Sequence, residues 1–87
     1  MNGQVVEFPR AESLQRLALS DSGFVFDPVT GNSFRVNATG LAILRHLQHA
    51  LDLAQVVAAL ATEFEVDEPT AEREVIEFAG HLRSLFR

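Results

Sequence analysis

The chain contains no cysteine and no lysine. Without cysteine, a disulfide framework and a thiolate metal site are both excluded, and a reducing compartment fits. Without lysine, all seven basic residues are arginine, which reads as a codon bias rather than a mechanism. No apolar run approaches the ~20 residues of a membrane span, so no membrane partner is expected. The first residues, Met1-Asn2-Gly3-Gln4-Val5-Val6-Glu7-Phe8, have neither a basic flank nor a long apolar segment. No secretory signal is expected there, and the expected location is cytoplasmic. Also missing are a Walker loop, a G-x-G-x-x-G turn and a Cys/His ligand set, so no nucleotide, metal or other cofactor is expected.

Positive charge is missing from one half only. Residues 1–50 carry four arginines against four acids, and residues 51–87 carry three against eight, so the whole net charge of −5 lies in the second part. Eighty-seven residues make one domain, able to bury roughly 60–65 % of its unfolded surface. With 47 % hydrophobic residues the chain can build a core.

The period of hydrophobicity changes once, at Asn37. Before it, short β-prone segments alternate with turns. Leu14 to Leu19 reads as a first strand, with Leu17 and Leu19 on one face. Ser20-Asp21-Ser22-Gly23 is a turn by composition. Phe24-Val25-Phe26 is a second strand. Asp27-Pro28-Val29-Thr30-Gly31-Asn32 is a hairpin signal, with Pro28 at the first corner and Gly31 able to take positive φ. Ser33 to Val36 is the third strand. No helix is expected before residue 30. Residues 1–13 read as an N-terminal arm in which Val5-Val6-Glu7-Phe8 forms a small strand or an ordered segment, limited by Pro9. Residues 14–87 read as the domain.

After Asn37 the period is helical. Asn37 offers a side-chain oxygen to the free amides of a helix running to about Ala50. Leu41, Leu44, Leu47 and Leu51 form its stripe, and Gly40 on that side permits a close helix–strand contact. Asp52-Leu53-Ala54-Gln55 fits a capping box, with Leu51 stapling onto Val56. Leu53, Val56, Val57, Leu60 and Phe64 make the second stripe. Glu65-Val66-Asp67-Glu68-Pro69 closes that helix and opens the last one, with Pro69 in the first turn. The last stripe is Ala71, Val75, Phe78, Ala79, Leu82 and Phe86. The expected fold class is α+β and winged-helix-like: a three-stranded antiparallel sheet followed by three helices.

Catalytic chemistry finds little support. His46 and His49 stand i, i+3 on the polar face of the first helix, where a solvated pair is the expectation rather than a metal site. His81 stands alone. Ser20 and Ser22 have no acid–base partner nearby in sequence. Glu72, Glu74 and Glu77 read as a solvated helix face. No catalytic residue is assigned, and the chain is not expected to be an enzyme.

The order of three segments resembles the PqqD-like family, the peptide recognition elements of ribosomal peptide natural-product pathways. The segments are Gly23-Phe24-Val25-Phe26-Asp27-Pro28-Val29-Thr30-Gly31, Phe34-Arg35-Val36-Asn37-Ala38-Thr39-Gly40, and Asp52-Leu53-Ala54-Gln55-Val56-Val57-Ala58-Ala59-Leu60. Phe64-Glu65-Val66-Asp67 follows before a last amphipathic helix, and the resemblance covers roughly residues 12–87. It implies three strands followed by three helices. It also implies a non-catalytic peptide chaperone that captures the leader segment of a precursor peptide and presents it to a modifying enzyme, often a radical SAM protein. In that family the leader adds to the third strand and packs against the third helix. Here those are Ser33, Phe34, Arg35 and Val36, and one flank of residues 68–86.

The residues themselves agree with an edge that an extended peptide can join. Phe34 and Val36 read as core, and Ser33 and Arg35 as the surface pair. On the last helix, Glu72, Ile76, Ala79 and Arg83 line one flank, and Glu74, Phe78, His81 and Leu85 the other. The first flank is the expected groove wall, because an exposed Ile76 beside a charged rim suits a groove. Two other functions are weighed. A winged-helix DNA-binding domain conflicts with the last helix, which opens Asp67-Glu68-Pro69-Thr70-Ala71-Glu72-Arg73-Glu74, because nucleic-acid affinity comes largely from phosphate neutralisation. No nucleic-acid partner is expected. An oligomerisation domain would pair the strand edge with its own copy. The expected state is a monomer or a weak homodimer.

Overall fold

The computed structural model of the chain describes residues 8–49 and 51–85. Val5-Val6-Glu7, Ala50 and Phe86, for which roles were expected, lie outside the described residues. Seven elements follow in order: α1 (Ala11–Gln15), β1 (Ala18–Leu19), β2 (Phe24–Phe26), β3 (Ser33–Arg35), α2 (Ala38–Gln48), α3 (Leu53–Phe64) and α4 (Glu68–Leu85). The strands form an antiparallel sheet in the order β1-β2-β3. The class is therefore α+β, a three-stranded antiparallel sheet followed by helices.

The first strand is the correction. Ala11–Gln15 is a helix, and pairing begins only at Ala18. Leu14 and Leu17 are both buried, at a spacing that suits a helical turn rather than an alternating strand. Five residues cannot hold a helix alone. Burial of Leu14 and Leu17, about 1.5–3 kcal/mol each, supplies what propensity lacks. The Gln48 amide adds hydrogen bonds to the carbonyls of Leu14 and Leu17, at 2.9 and 3.0 Å, tying α1 to α2.

The turns follow local chemistry. The Asp27 amide bonds the Asn32 carbonyl, and the Gly31 amide bonds the Asp27 carbonyl, both at 2.8 Å, with Gly31 at φ +80°. Asp27 is almost fully buried. Its two carboxylate oxygens accept from Nε and Nη2 of Arg16, at 2.9 and 2.8 Å, and Oδ1 also accepts from the Val29 amide. The pair clamps the end of α1 to the β2–β3 hairpin.

The three longer helices start on side-chain caps, whereas α1 follows Arg10 with none. Asn37 Oδ1 accepts from the Gly40 amide at 2.8 Å. Asp52 and Gln55 make both halves of a capping box. Asp67 accepts from the Thr70 amide at 2.9 Å, and hydrogen bonding from Thr70 lowers the Asp67 pKa. Between α3 and α4 the chain turns through Glu65 in the left-handed region, φ 55°.

One core lies between the sheet and the helices, with Val25, Ile43, Leu44, Val56, Val75 and Leu82 fully enclosed. Ile43 lies off the expected α2 stripe, because α2 contacts α1, α3 and α4 and so buries more than one face. Phe64, expected in the α3 stripe, is exposed, since α3 ends there.

The Arg16 clamp predicts an acid-sensitive fold. Hydrogen bonding from the Arg16 guanidinium, aided by the Val29 amide, holds the Asp27 carboxyl well below the usual carboxylate range. Stability from this group is complete above the ordinary aspartate pKa and is lost as pH falls toward the depressed one, because the unfolded chain takes up the proton first. Asp27→Asn should lower the melting temperature at neutral pH and make its fall in acid shallower. Thermal melts of both proteins between neutral and strongly acidic pH check this.

Candidate functional site

The free edge of β3 is built by hydrogen-bond parity. In an antiparallel pair, alternate residues turn both backbone groups toward the neighbour. The Asp27 amide reaches the Asn32 carbonyl, and the Val36 amide reaches the Gly23 carbonyl at 2.8 Å. Phe34, opposite Val25, shares that parity. Ser33 and Arg35 have the other parity and aim their amides and carbonyls away from β2. Among the described residues β3 pairs with β2 alone. The side chains alternate too: Phe34 and Val36 pack on the core, while Ser33 and Arg35 are exposed.

Gly23 holds the far end of this strand. It sits at φ +91°, and a Cβ there would fall 2.3 Å from the Val36 carbonyl oxygen. Only glycine permits both the conformation and the approach.

The helix beside the edge is α4, and the face it presents is Phe78 to Leu85. A Cβ on Gly40 would lie 2.8 Å from Phe78 Cε1 and 3.1 Å from Val36 Cβ, so α2, α4 and the end of β3 meet at that glycine. Leu85 shares a depression with Ser33 and Phe34. Glu74, Glu77, Phe78 and His81 share the next one with Asn37 and Gly40. Phe78 and Leu85 thus lie near opposite ends of β3, so α4 runs opposite to it along a seam with a depression at either end, the one at Leu85 also lined by Ser13 and Arg16.

The residues of α4 that lie near the ends of β3 are Phe78 and Leu85, on the flank next to the expected one. Glu72 faces the start of α3, in a depression with Leu53, Ala54 and Val57. Ala79 is buried, Ile76 is half-buried, and Arg83 is exposed with its guanidinium folded over Gly80. Ser33, Phe34, Arg35 and Val36 are brought together, while neither depression beside β3 is lined by Glu72, Ile76, Ala79 or Arg83. The choice of flank depends on how α4 rolls against α2, and Gly40 was the one residue that carried that information. Its position on the apolar side of α2 could have pointed to an aromatic partner.

Elsewhere several charged side chains are engaged with one another. A cleft of about 590 Å³ lies between the Ser20–Gly23 turn, α2 and the end of α3. Arg45 there bonds Asp21 at 2.6 Å, and His46 faces Glu63 at 3.2 Å. His49 Nδ1 bonds the Arg45 carbonyl at 2.8 Å, so the two histidines do not converge. Among the described residues no group of three His, Asp or Glu could hold a metal ion. No helix among them is long and apolar enough to cross a membrane.

The family profile described as coenzyme PQQ synthesis protein D (PqqD) matches residues 23–85, which take in β2, β3 and all of α2 to α4. The chain belongs to the PqqD family. Neither the curated proteins nor the solved structures contain a match to it. PqqD membership indicates a peptide-binding accessory role in the biosynthesis of ribosomally made peptide products, alongside a precursor peptide and a modifying enzyme. The matched region includes β3 and α4 and leaves out α1 and β1.

The Gly40 contact is testable in this PqqD chain. Gly40→Val should destabilise it by about 1–3 kcal/mol through overpacking. Adding Phe78→Ala should recover part of that loss, so the two effects should be non-additive. Urea unfolding of the two single variants and the double variant measures the coupling.

Proposed function

We propose that this protein is a non-catalytic chaperone for a precursor peptide. It captures the leader segment by strand addition to β3 and presents it to a modifying enzyme, for which a radical SAM protein is the natural candidate. The observation that carries this reading is the outward parity of Ser33 and Arg35 on a strand edge that runs beside Phe78 and Leu85. An extended peptide there would exchange backbone hydrogen bonds with Ser33 and Arg35. Its alternate side chains would turn toward Phe34, Val36 and the α4 face. The site needs no cofactor for this role. A protein that holds one peptide end in a fixed register raises the local concentration of the rest at the partner enzyme.

The test uses proline, which removes one amide donor and fixes φ. Ser33→Pro and Arg35→Pro alter outward amides and should leave a cooperative melt. Each should weaken leader binding by about threefold to tenfold, the effect of losing one net hydrogen bond of about 0.5–1.5 kcal/mol. Phe34→Pro removes an inward amide and should damage folding instead. Calorimetric titration with the cognate leader, beside thermal melts, reads both. Unchanged affinity in both folded outward variants would remove β3 as the docking edge.

A further inference from the structure

The seam beside β3 does not end with the strand. Thr39 and Glu74 line the depression at Phe78, and both also line the next one, of about 280 Å³, with Leu60, Phe64 and Val66. Phe64 and Val66 are 38 % and 39 % exposed, on either side of the left-handed Glu65. Two large apolar side chains thus stand open where the groove leads. Between them and β3 lie Glu74 and Glu77, which make no ion pair among the described residues.

We infer that the partner segment is longer than the strand it adds, carrying a basic residue over Glu74 and Glu77 and an apolar anchor against Phe64 and Val66. The inference rests on the strand-addition reading and names what the same groove selects. Charge complementarity decides the occupant. The turn around the anchor pocket carries Glu63, Glu65, Asp67 and Glu68, all exposed, and the nearby Arg73 acts on Asp67. A second copy of this acidic chain would bring like charges together there, whereas an extended basic-apolar peptide meets opposite charge and then apolar surface. Continuity fixes the order: strand segment at Ser33 to Val36, basic residue past Asn37, apolar residue beyond Thr39.

The experiment selects a displayed library of random linear peptides on the full chain and measures the winners by fluorescence anisotropy. The expected winners share an apolar residue at a constant distance on one side of the strand segment, with Arg or Lys between. Phe64→Ser should weaken them about tenfold, or about 1.4 kcal/mol. Val66→Arg, a second exposed position, should do the same by blocking the pocket, and Glu74→Gln should flatten the salt dependence. Arg35→Pro is the reference for strand addition. Binding that falls in Arg35→Pro but is unchanged in Phe64→Ser and Val66→Arg overturns this inference and leaves strand addition standing. Binding indifferent to Arg35→Pro, or no selectable peptide, counts against strand addition and the inference with it.

Discussion

The absence of a side chain at Gly40 lets three elements meet. Phe78 on α4 lies against the first turn of α2, with the Val36 side chain on the other side of the same glycine. Any Cβ there would collide with the Phe78 ring and crowd the Val36 side chain. The spacing of the groove therefore depends on a residue that lines it with backbone alone. Glycine inside a helix costs about 1 kcal/mol against alanine, so the position is unfavourable for α2 alone and is kept by the packing around it. Asn37, three residues earlier, compensates by capping the same turn.

A three-stranded sheet of such short strands is marginal by itself. The helices cover one face with a common core, and the Arg16–Asp27 clamp fixes the hairpin that positions β3. The outer edge of β3 gains nothing from this arrangement. Its outward amides and carbonyls meet no strand among the described residues, which leaves them to water or to an added strand. The sheet is thus stable enough to present an edge and too small to cover it. The acidic balance of the second half of the chain adds a preference of sign at one end of the groove. Exposed charges act there through screened, modest forces, which suit selection of a partner more than tight binding.

What the sequence revealed was what local chemistry decides. The β2–β3 hairpin was legible because Pro28 and Gly31 satisfy turn geometry without help from the rest of the chain. The capping box at Asp52 and Gln55, and the Asn37 cap, were legible for the same reason. The helix at Ala11–Gln15 was not, because its stability comes from Leu14 and Leu17 meeting distant residues and from the Gln48 amide. Ile43 was missed because a helix packed on several sides loses its single stripe. Which flank of α4 lies by β3 was not legible, because both flanks carry acids and apolar residues. Only the long-range contact between Gly40 and Phe78 distinguishes them. The edge residues Ser33 to Val36 were named from the sequence, but their hydrogen-bond parity depends on the register with β2, which no composition reveals.

Amide hydrogen exchange at β3 tests the central claim most directly. In the free protein the Ser33 and Arg35 amides should exchange quickly, while those of Phe34 and Val36, bonded to β2, should be protected. On saturation with leader peptide, Ser33 and Arg35 should gain protection and the inward pair should change little. The alternation is the signature of an added strand. Uniform protection across residues 33–36, or protection confined to residues outside β3, would contradict strand addition.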